Sequence, residues 1–333
     1  MSEPSQTGRP SRAMIVLAFG VIYTIWGGTY LAIRFAVQSI PPFWMAGARF
    51  LLAGSILYAF MRLRGTPPPL RHHWLSASVV GVVLLVGGNG SLSWSEQRVP
   101  SGLAATILAM IPLWMVLLDS LRKGGPKLTG RVAGGLVIGL AGVGILVGPA
   151  RLWGSSRVDL LGAAVLIFSA FSWAVGSLCS RGANLPPSPF LAAAMEMLAG
   201  GAMLILLGYL FEGHQLHWRA ISIRSMAGLL YLIVFGSLVS FTAYIWLLSV
   251  VSTSRVATYA YVNPLVAVFL GWVFGAESIS ARELLATAII VTAVALILSH
   301  RPQPVAMAPD ADGLPTLDEQ QAMKIRGNGV TQA

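Results

Sequence analysis

Two charged residues lie inside long apolar stretches of this sequence, and they are the first candidates for chemistry. Arg49 lies in ARFLLAG (48–54) and Glu196 lies in MEMLAG (195–200), 147 residues further on. A charge at the centre of a membrane helix costs about 2.5 to 3.5 kcal/mol on insertion scales. Glu196 could take up and release a proton, and Arg49 could bind a carboxylate with two guanidinium nitrogens. The alternative is structural, as an ion pair between the two or as separate contacts of each.

Aromatic side chains recur at helical spacing in two other stretches. Tyr23, Trp26 and Tyr30 are three and four residues apart, which places them on one face of a helix. Ser169 and Trp173 are four residues apart in a later stretch. Such a face can hold an apolar or ring-bearing ligand and can stack against a cation. Aromatic packing between helices would give the same pattern and is the alternative for each residue.

Polar residues mark two further apolar stretches. Asn89 lies between two glycines, with Ser93 four residues later on the same helical face. We expect the glycines to loosen the helix and to expose backbone carbonyls to a ligand or to water. Ser237, Ser240 and Tyr244 share a face of another stretch, where hydrogen bonding between helices is the favoured role. Tyr244 is also a candidate for ligand binding.

Two prolines predict breaks inside apolar stretches. Pro264, in TYAYVNP, cannot donate a hydrogen bond to the carbonyl of Ala260, so we expect a kink that brings Tyr259 and Asn263 to a common site. Asn263 could instead cap the broken helix. Pro112 predicts the same break in an earlier stretch.

The composition indicates which elements carry these residues. Hydrophobic residues make up 56% of the chain, charged residues only 10%, and the mean hydropathy is +0.74. A soluble domain has roughly 25% charged residues. Ten apolar runs are each about long enough to cross a bilayer: 13–33, 43–61, 74–94, 100–120, 130–148, 160–179, 189–211, 225–250, 255–275 and 282–299. We therefore predict an all-α polytopic membrane protein with ten transmembrane helices.

The two halves of the chain repeat one another. Trp26 matches Trp173 at an offset of 147 residues, and Trp94 matches Trp246 at an offset of 152. The repeat unit holds five of the ten runs, and two five-helix units in one chain must cross the bilayer in opposite directions. We predict inverted repeats at 13–148 and 160–299, a linker at 149–159, a tail at 1–12 and a disordered tail at 300–333. In secondary transporters, inverted repeats rock around a central site.

The positive charge is spread along the chain rather than concentrated. The net charge is +10, but no basic stripe interleaved with aromatic residues is present, so we expect no nucleic-acid partner. In the first half, nine basic residues fall on the side of the N-terminus and four on the other side, which predicts cytoplasmic termini. Cys179 is the only cysteine, so no intramolecular disulfide can form.

Four longer motifs resemble the EamA family of the drug/metabolite transporter superfamily: IWGGTYLAIR (25–34), PPFWMAGARFLLAG (41–54), VPSGLAATI (99–107) and YAYVNPLVAVFLGWVFGAE (259–277). GGNGS (87–91) and AMEMLAGG (194–201) are similar to its YedA-type members. The resemblance implies two EamA repeats in ten helices with cytoplasmic termini. It also implies a secondary active transporter that exports small metabolites or drug-like compounds, such as amino acids, across the bacterial inner membrane by alternating access.

Other classes of membrane protein remain as alternatives at this point. A channel or facilitator can also use inverted repeats and polar faces. An intramembrane enzyme is disfavoured because the sequence has no His-Glu-x-x-His motif and no Gly-x-Ser-x-Gly elbow. We predict no cofactor and no metal site, with the lipid bilayer, a small-molecule substrate and coupling protons as partners. Asp119, Glu96 and Glu277 lie near helix ends, where charges are normally solvated.

Overall fold

The regular structure of this protein is helical. The computed structural model describes residues 11–121, 130–147, 159–277, 279 and 281–298, and these residues contain no β-strand. The all-α class is therefore confirmed. The predicted tails at 1–12 and 300–333 and the linker at 149–159 lie almost entirely outside the described residues.

Eleven helices of eight or more residues carry most of the described residues. They are α1 (Arg12–Thr24), α2 (Thr29–Ala36), α3 (Pro42–Leu63), α4 (Arg71–Ser95), α5 (Ser101–Leu121), α6 (Gly130–Val147), α7 (Leu160–Gly182), α8 (Pro189–Glu212), α9 (Ile223–Val250), α10 (Tyr259–Gly275) and α11 (Ala281–Leu298). Each predicted apolar run overlaps at least one of them.

Six helices are long and apolar enough to cross a membrane on their own: α3, α4, α5, α7, α8 and α9. The α1 and α2 helices are bent by 43° at a short break and together could form a seventh span. The α6, α10 and α11 helices fall in the three remaining runs and are not among these spans. A polytopic membrane protein is thus supported, while the total of ten spans stays a prediction.

Two helices contain a central π-helical segment. Residues Val82–Gly90 of α4 and Leu232–Phe241 of α9 have this wider form. The two segments begin 150 residues apart, which is close to the repeat length of the sequence. A π-helix shifts its hydrogen bonding by one residue and is found frequently at functional sites. Both segments therefore direct attention to the centre of α4 and α9.

The α3 and α8 helices pack closely through glycines. A Cβ atom at Gly54 would lie 3.0 Å from the backbone nitrogen of Leu198, and a Cβ at Gly201 would lie 2.8 Å from that of Leu51. Residue numbers fall along α8 as they rise along α3, so the helices are antiparallel. Gly201 follows Gly54, and Leu198 follows Leu51, by the same 147 residues. The contact of Gly54 with Leu198 is thus equivalent to the contact of Gly201 with Leu51, with the roles of α3 and α8 exchanged. A two-fold axis between equivalent helices would require this pattern.

Candidate functional site

Trp26 lies at the centre of an aromatic cluster. It belongs to the break between α1 and α2, where IWGG leaves the helix. Its ring centroid lies 5.5 Å from that of Trp173, 5.0 Å from that of Tyr244 and 5.2 Å from that of Tyr259. The aromatic rings of α7, α9 and α10 therefore meet at a non-helical turn, at distances typical of attractive ring pairs.

A small central cavity opens beside this cluster. Its volume is about 30 Å³, which is room for a few water molecules at most. Six of the predicted binding residues line it, namely Trp26, Tyr30, Asn89, Trp173, Tyr259 and Asn263. Thr29 and Ser169 line it as well, together with Gly88, Leu92, Leu108 and Ile111. The lining thus comes from both halves of the chain.

Three predicted binding residues do not line this cavity. The Tyr23 hydroxyl shares a hydrogen bond of 2.5 Å with Thr258. Tyr244 is fully buried behind the rings, and its hydroxyl bonds with Ser177 at 2.6 Å and accepts from the Trp173 indole at 3.2 Å. Ser93 is buried, and its hydroxyl has no hydrogen-bond partner among the described residues.

The glycines around Asn89 serve helix packing. A Cβ at Gly88 would lie 2.8 Å from the Trp173 ring, so the glycine lets α7 approach α4. The Gly88 carbonyl accepts a hydrogen bond of 2.7 Å from Ser169, and the Val83 carbonyl accepts one of 2.8 Å from Ser172. We expected these glycines to expose carbonyls to a ligand. Instead, hydroxyls of α7 satisfy carbonyls of the π-helical segment, which would be costly to leave unpaired in lipid.

Asn263 both lines the cavity and joins two helices. Its amide nitrogen donates to the carbonyls of Ile22 and Tyr23 at 3.0 Å each, in the orientation that satisfies all three groups. These carbonyls belong to the last turn of α1, where the carbonyl groups have no backbone N–H partner within the helix. Asn263 therefore caps a broken helix, although the helix is α1 rather than its own.

The interruptions lie ahead of the two prolines. The α5 helix is broken at Ala109 and Met110, and Pro112 is the second residue of the segment that follows. At that position a proline costs little, because its missing N–H would have no helical partner. The α10 helix continues through Pro264, and the break lies earlier, at Ala257 and Thr258.

Arg49 is held by hydrogen bonds rather than by an acidic group. Its side chain is 1% exposed, and Nε donates to Ser237 at 2.7 Å while Nη1 donates to the Asn89 side chain at 3.3 Å. The guanidinium carbon also lies 4.6 Å from the centroid of the Phe50 ring. Asn89 and Ser237 belong to the two π-helical segments. Arg49 therefore connects the equivalent irregular segments of the two halves.

Glu196 is buried with fewer contacts. One carboxylate oxygen accepts from Ser180 at 3.2 Å, and the other has no hydrogen-bond partner within the described part of the chain. Glu196 and Arg49 form no ion pair. Leu51 of α3 lies opposite Gly201 of α8. Because the two helices are antiparallel, Arg49, two residues before Leu51, lies opposite residue 203, which is seven positions from Glu196 along α8. At 1.5 Å per residue the two are separated by about 10 Å along the helix axis.

A second group of charges lies where α2, α4 and α10 end. Arg34 pairs with Glu277 at 3.1 Å, and Glu277 accepts from the backbone N–H and the hydroxyl of Ser101 at 2.9 and 2.8 Å. Glu96 is 1% exposed, and neither carboxylate oxygen has a hydrogen-bond partner among the described residues. The expectation of solvated charges at these helix ends is wrong for Glu96 and Glu277, because neighbouring helix ends cover them.

The surroundings of Glu96 favour its neutral form. Burial raises the pKa of its carboxyl well above the ordinary value of 4.5, and the Glu277 charge raises that pKa further. The charges of Arg34 and Arg49 act in the opposite direction. The sequence offers no local signal for this group, since its burial depends on three helix ends that are distant along the chain.

Apolar helices that surround a central cavity of aromatic and amide groups define a multi-pass membrane protein with an internal site. Comparison with known proteins gives the family. The sequence model of the EamA-like transporter family matches residues 13–148 and 160–299, so the chain belongs to this family.

Three relatives and a solved structure agree with this assignment. The chain is 41% identical over 285 residues to the uncharacterized inner membrane transporter YedA of Escherichia coli K12, covering 84% of this chain and 89% of that protein. It is 27% identical to a chloroplastic WAT1-related protein of Arabidopsis thaliana (83% and 67% covered) and 26% identical to the uncharacterized transporter YvbV of Bacillus subtilis (86% and 92%). A crystal structure with a TM-score of 0.62 and 22% identity covers 86% of this chain and 98% of its own, and it shows the fold alone.

Proposed function

We propose that this protein is a secondary active transporter that exports small metabolites or drug-like compounds, such as amino acids, from the bacterial cytoplasm across the inner membrane. The observation that carries the proposal is the central cavity, to which Trp26 and Asn89 of the first half and Trp173 and Tyr259 of the second half all contribute. In transporters built from two repeats, the substrate site lies at the interface of the repeats.

The proposed mechanism is alternating access between two inverted five-helix repeats with cytoplasmic termini. The exchanged contacts of α3 with α8 and the matched π-helical segments support such a symmetry. The cavity of about 30 Å³ is much smaller than the roughly 300 Å³ or more of a small-molecule site. Substrate binding therefore requires the helices to separate. The breaks before Thr29, Ile111 and Tyr259 are places where helix segments can move.

The aromatic lining defines the substrate class that we propose. Rings and amide groups suit a small solute with an apolar or ring-bearing part and a few polar groups. A cation can also be held, by stacking on Trp26 or Trp173. The Arg49 guanidinium already donates hydrogen bonds to Asn89 and Ser237. We therefore do not propose that it binds a substrate carboxylate.

We further propose that transport is coupled to protons through Glu196. Its carboxylate is fully buried and has a single hydrogen-bond donor, the Ser180 hydroxyl. Ser180 also lines a second cavity, of about 340 Å³, where α7, α8 and α9 come together. The Ser180 side chain therefore contacts both that cavity and the Glu196 carboxylate. The carboxylate thus has the burial and the access that a coupling site needs.

The test is counterflow in proteoliposomes against a panel of amino acids, nucleobases and amphiphilic cations at two pH values. We expect saturable exchange of one class. We also expect Trp26→Ala to lower the rate roughly tenfold, since removal of a central ring contact costs about 1.4 kcal/mol. Trp272→Ala is the matched control, because Trp272 is 57% exposed on α10 and does not line the cavity.

The outcomes distinguish this proposal from other functions. Flux that does not saturate would favour a channel or facilitator, and formation of a modified product would favour an enzyme. Equal transport rates for the Trp26→Ala and Trp272→Ala variants would show that the cavity is not part of the transport path.

A further inference from the structure

The charged residues at the ends of α2, α4 and α10 form a cluster with defined contacts. We call Arg34, Glu96, Ser101 and Glu277 the Glu96 cluster. Ala276, directly before Glu277, has a left-handed backbone with φ of 53°, which is unusual for a residue other than glycine. This turn directs the Glu277 carboxylate back to the N-terminus of α5, where Ser101 donates to it. Backbone strain of this kind persists only where the surrounding structure imposes it.

The Glu96 cluster also closes this end of the helix bundle. Arg34 donates to the carbonyl of Val99 at 2.9 Å and pairs with Glu277, so one guanidinium joins α2, the turn before α5 and the end of α10. Opening a path from the central cavity at this end would require these bonds to separate.

Glu96 is the member of the cluster whose partners are missing. The charged and titratable groups that face it are Arg34 and Tyr30 from α2, Arg49 from α3 and Glu277 beyond α10. The nearby Arg34 side chain is already paired with Glu277. An ionised Glu96 would therefore be a buried carboxylate beside a guanidinium that already pairs with Glu277, and neither of its oxygens has a hydrogen-bond donor within the described residues. A neutral carboxyl avoids that cost.

A polar face of α4 joins Glu96 to the central cavity. Asn89, Ser93 and Glu96 are four and three residues apart, which places them along one side of the helix. Asn89 lines the cavity, and the buried Ser93 hydroxyl has no hydrogen-bond partner in the described chain. Tyr30 lines the cavity as well and interacts electrostatically with Glu96. Polar groups thus lead from the cavity to the cluster.

We propose that Glu96 is a proton-binding site that holds its proton while this end of the bundle is closed. When the end opens, the O–H bond of the carboxyl breaks, the electron pair stays on the oxygen, and the proton passes to water. The resulting carboxylate competes with Glu277 for Arg34, which weakens the bonds that close this end. Proton uptake by Glu96 restores the Arg34–Glu277 pair. This role rests on the proposed transport function and adds a second carboxylate to it, at a different place from Glu196.

The direct test is infrared spectroscopy of the full chain reconstituted in lipid, titrated from low to high pH. We expect a carbonyl stretching band of a protonated carboxylic acid at neutral pH in the wild type. Glu96→Gln should lose that component, while Glu196→Gln should keep it. Asp159→Asn is the surface control, since Asp159 pairs with Arg98 at a partly exposed position. Absence of a difference between the wild type and Glu96→Gln at neutral pH would overturn the proposal.

A second measurement keeps the test valid if Glu96→Gln folds poorly. Glu96→Asp retains a carboxyl, so its acid band should be displaced rather than lost, and size-exclusion chromatography reports folding of both variants. The infrared result does not depend on transport. If counterflow fails for every solute and the band is still assigned to Glu96, the transport proposal fails while the proton site stands.

Thermal unfolding gives an independent readout with a defined sign. The pKa of Glu96 is raised in the folded protein, so the folded state binds the proton more tightly than the unfolded state. Proton binding by Glu96 contributes fully to the stability of the folded state below the ordinary pKa of 4.5. This contribution is lost as the pH rises through the raised pKa of the folded protein. The unfolding temperature of the wild type should therefore fall over this range more than that of Glu96→Gln. Parallel curves for the two proteins would contradict a protonated Glu96.

Discussion

Arg49 and Glu196 stand at equivalent positions of the two halves, and their surroundings differ. Arg49 donates to Asn89 and Ser237 and lies over the Phe50 ring. Glu196 has one hydrogen bond, from Ser180. A buried cation with several fixed partners stabilises one arrangement of helices. A buried carboxylate with one partner can change its protonation without breaking a network, which is what coupling requires. Under the coupling role that we propose for Glu196, the repeats share a scaffold and divide structural and coupling roles between them.

The largest effect should come from removing the Arg49 guanidinium. Arg49→Met leaves Asn89 and Ser237 without their charged donor, and we expect a loss of about 2 to 4 kcal/mol of unfolding free energy. Arg49→Lys should recover only part of this loss, because one ammonium group cannot reproduce the planar guanidinium fork. Denaturant titration of the purified protein in detergent measures both. Wild-type stability of Arg49→Met would show that the two π-helical segments do not need this connection.

The contact between α3 and α8 should give a smaller effect that is equal in the two halves. Gly54→Ala and Gly201→Ala each place a methyl group within about 3 Å of a backbone nitrogen. We expect each to destabilise the protein by about 1 to 3 kcal/mol through overpacking. Gly20→Ala is the matched control, since nothing lies within 4 Å of its Cβ position. Very different losses at Gly54 and Gly201, in the same denaturant titration, would argue against a two-fold relation.

The smallest effect on stability should come from Glu196→Gln. The amide keeps an oxygen for Ser180 and removes a buried charge, so we expect a change below about 1 kcal/mol. Its effect on exchange should be larger, because counterflow should lose the part of its pH dependence that Glu196 carries. Glu212→Gln on the same helix is the control, since Glu212 accepts from the backbone of Phe43 at the start of α3. Exchange by Glu196→Gln at the full wild-type rate and with the wild-type pH dependence would exclude Glu196 as the coupling site.

Much of the cavity could be predicted from residue spacing. The predicted face of α1 and α2 supplies Trp26 and Tyr30, and Trp173 meets them from the equivalent position of the second half. The spacing held for these two residues, although Trp26 lies in the turn at 25–28 between α1 and α2 and not in a helix. It failed for Ser93, which the periodicity placed beside Asn89 although it does not line the cavity. Ser93 lies one turn beyond Asn89 and is fully buried, so the shared polar face continues past the cavity.

Relations between distant elements could not be read from the sequence. Equivalent positions suggested that Arg49 and Glu196 could meet, but the antiparallel crossing of α3 and α8 moves them apart along the helix axes. Likewise, Glu96 follows an ordinary helix end in the sequence. Its burial depends on Arg34 and Glu277, which come from elsewhere in the chain.

Cysteine labelling in lipid nanodiscs, which leave both ends of the bundle accessible, tests alternating access most directly. In a Cys179→Ser background, Val99→Cys reports on the closed end, where Val99 is fully buried, and Ala183→Cys reports on the cavity beside Ser180. A solute that exchanges in counterflow should change the two maleimide labelling rates in opposite directions. Rates that rise together, or that do not respond to a transported solute, would contradict alternating access.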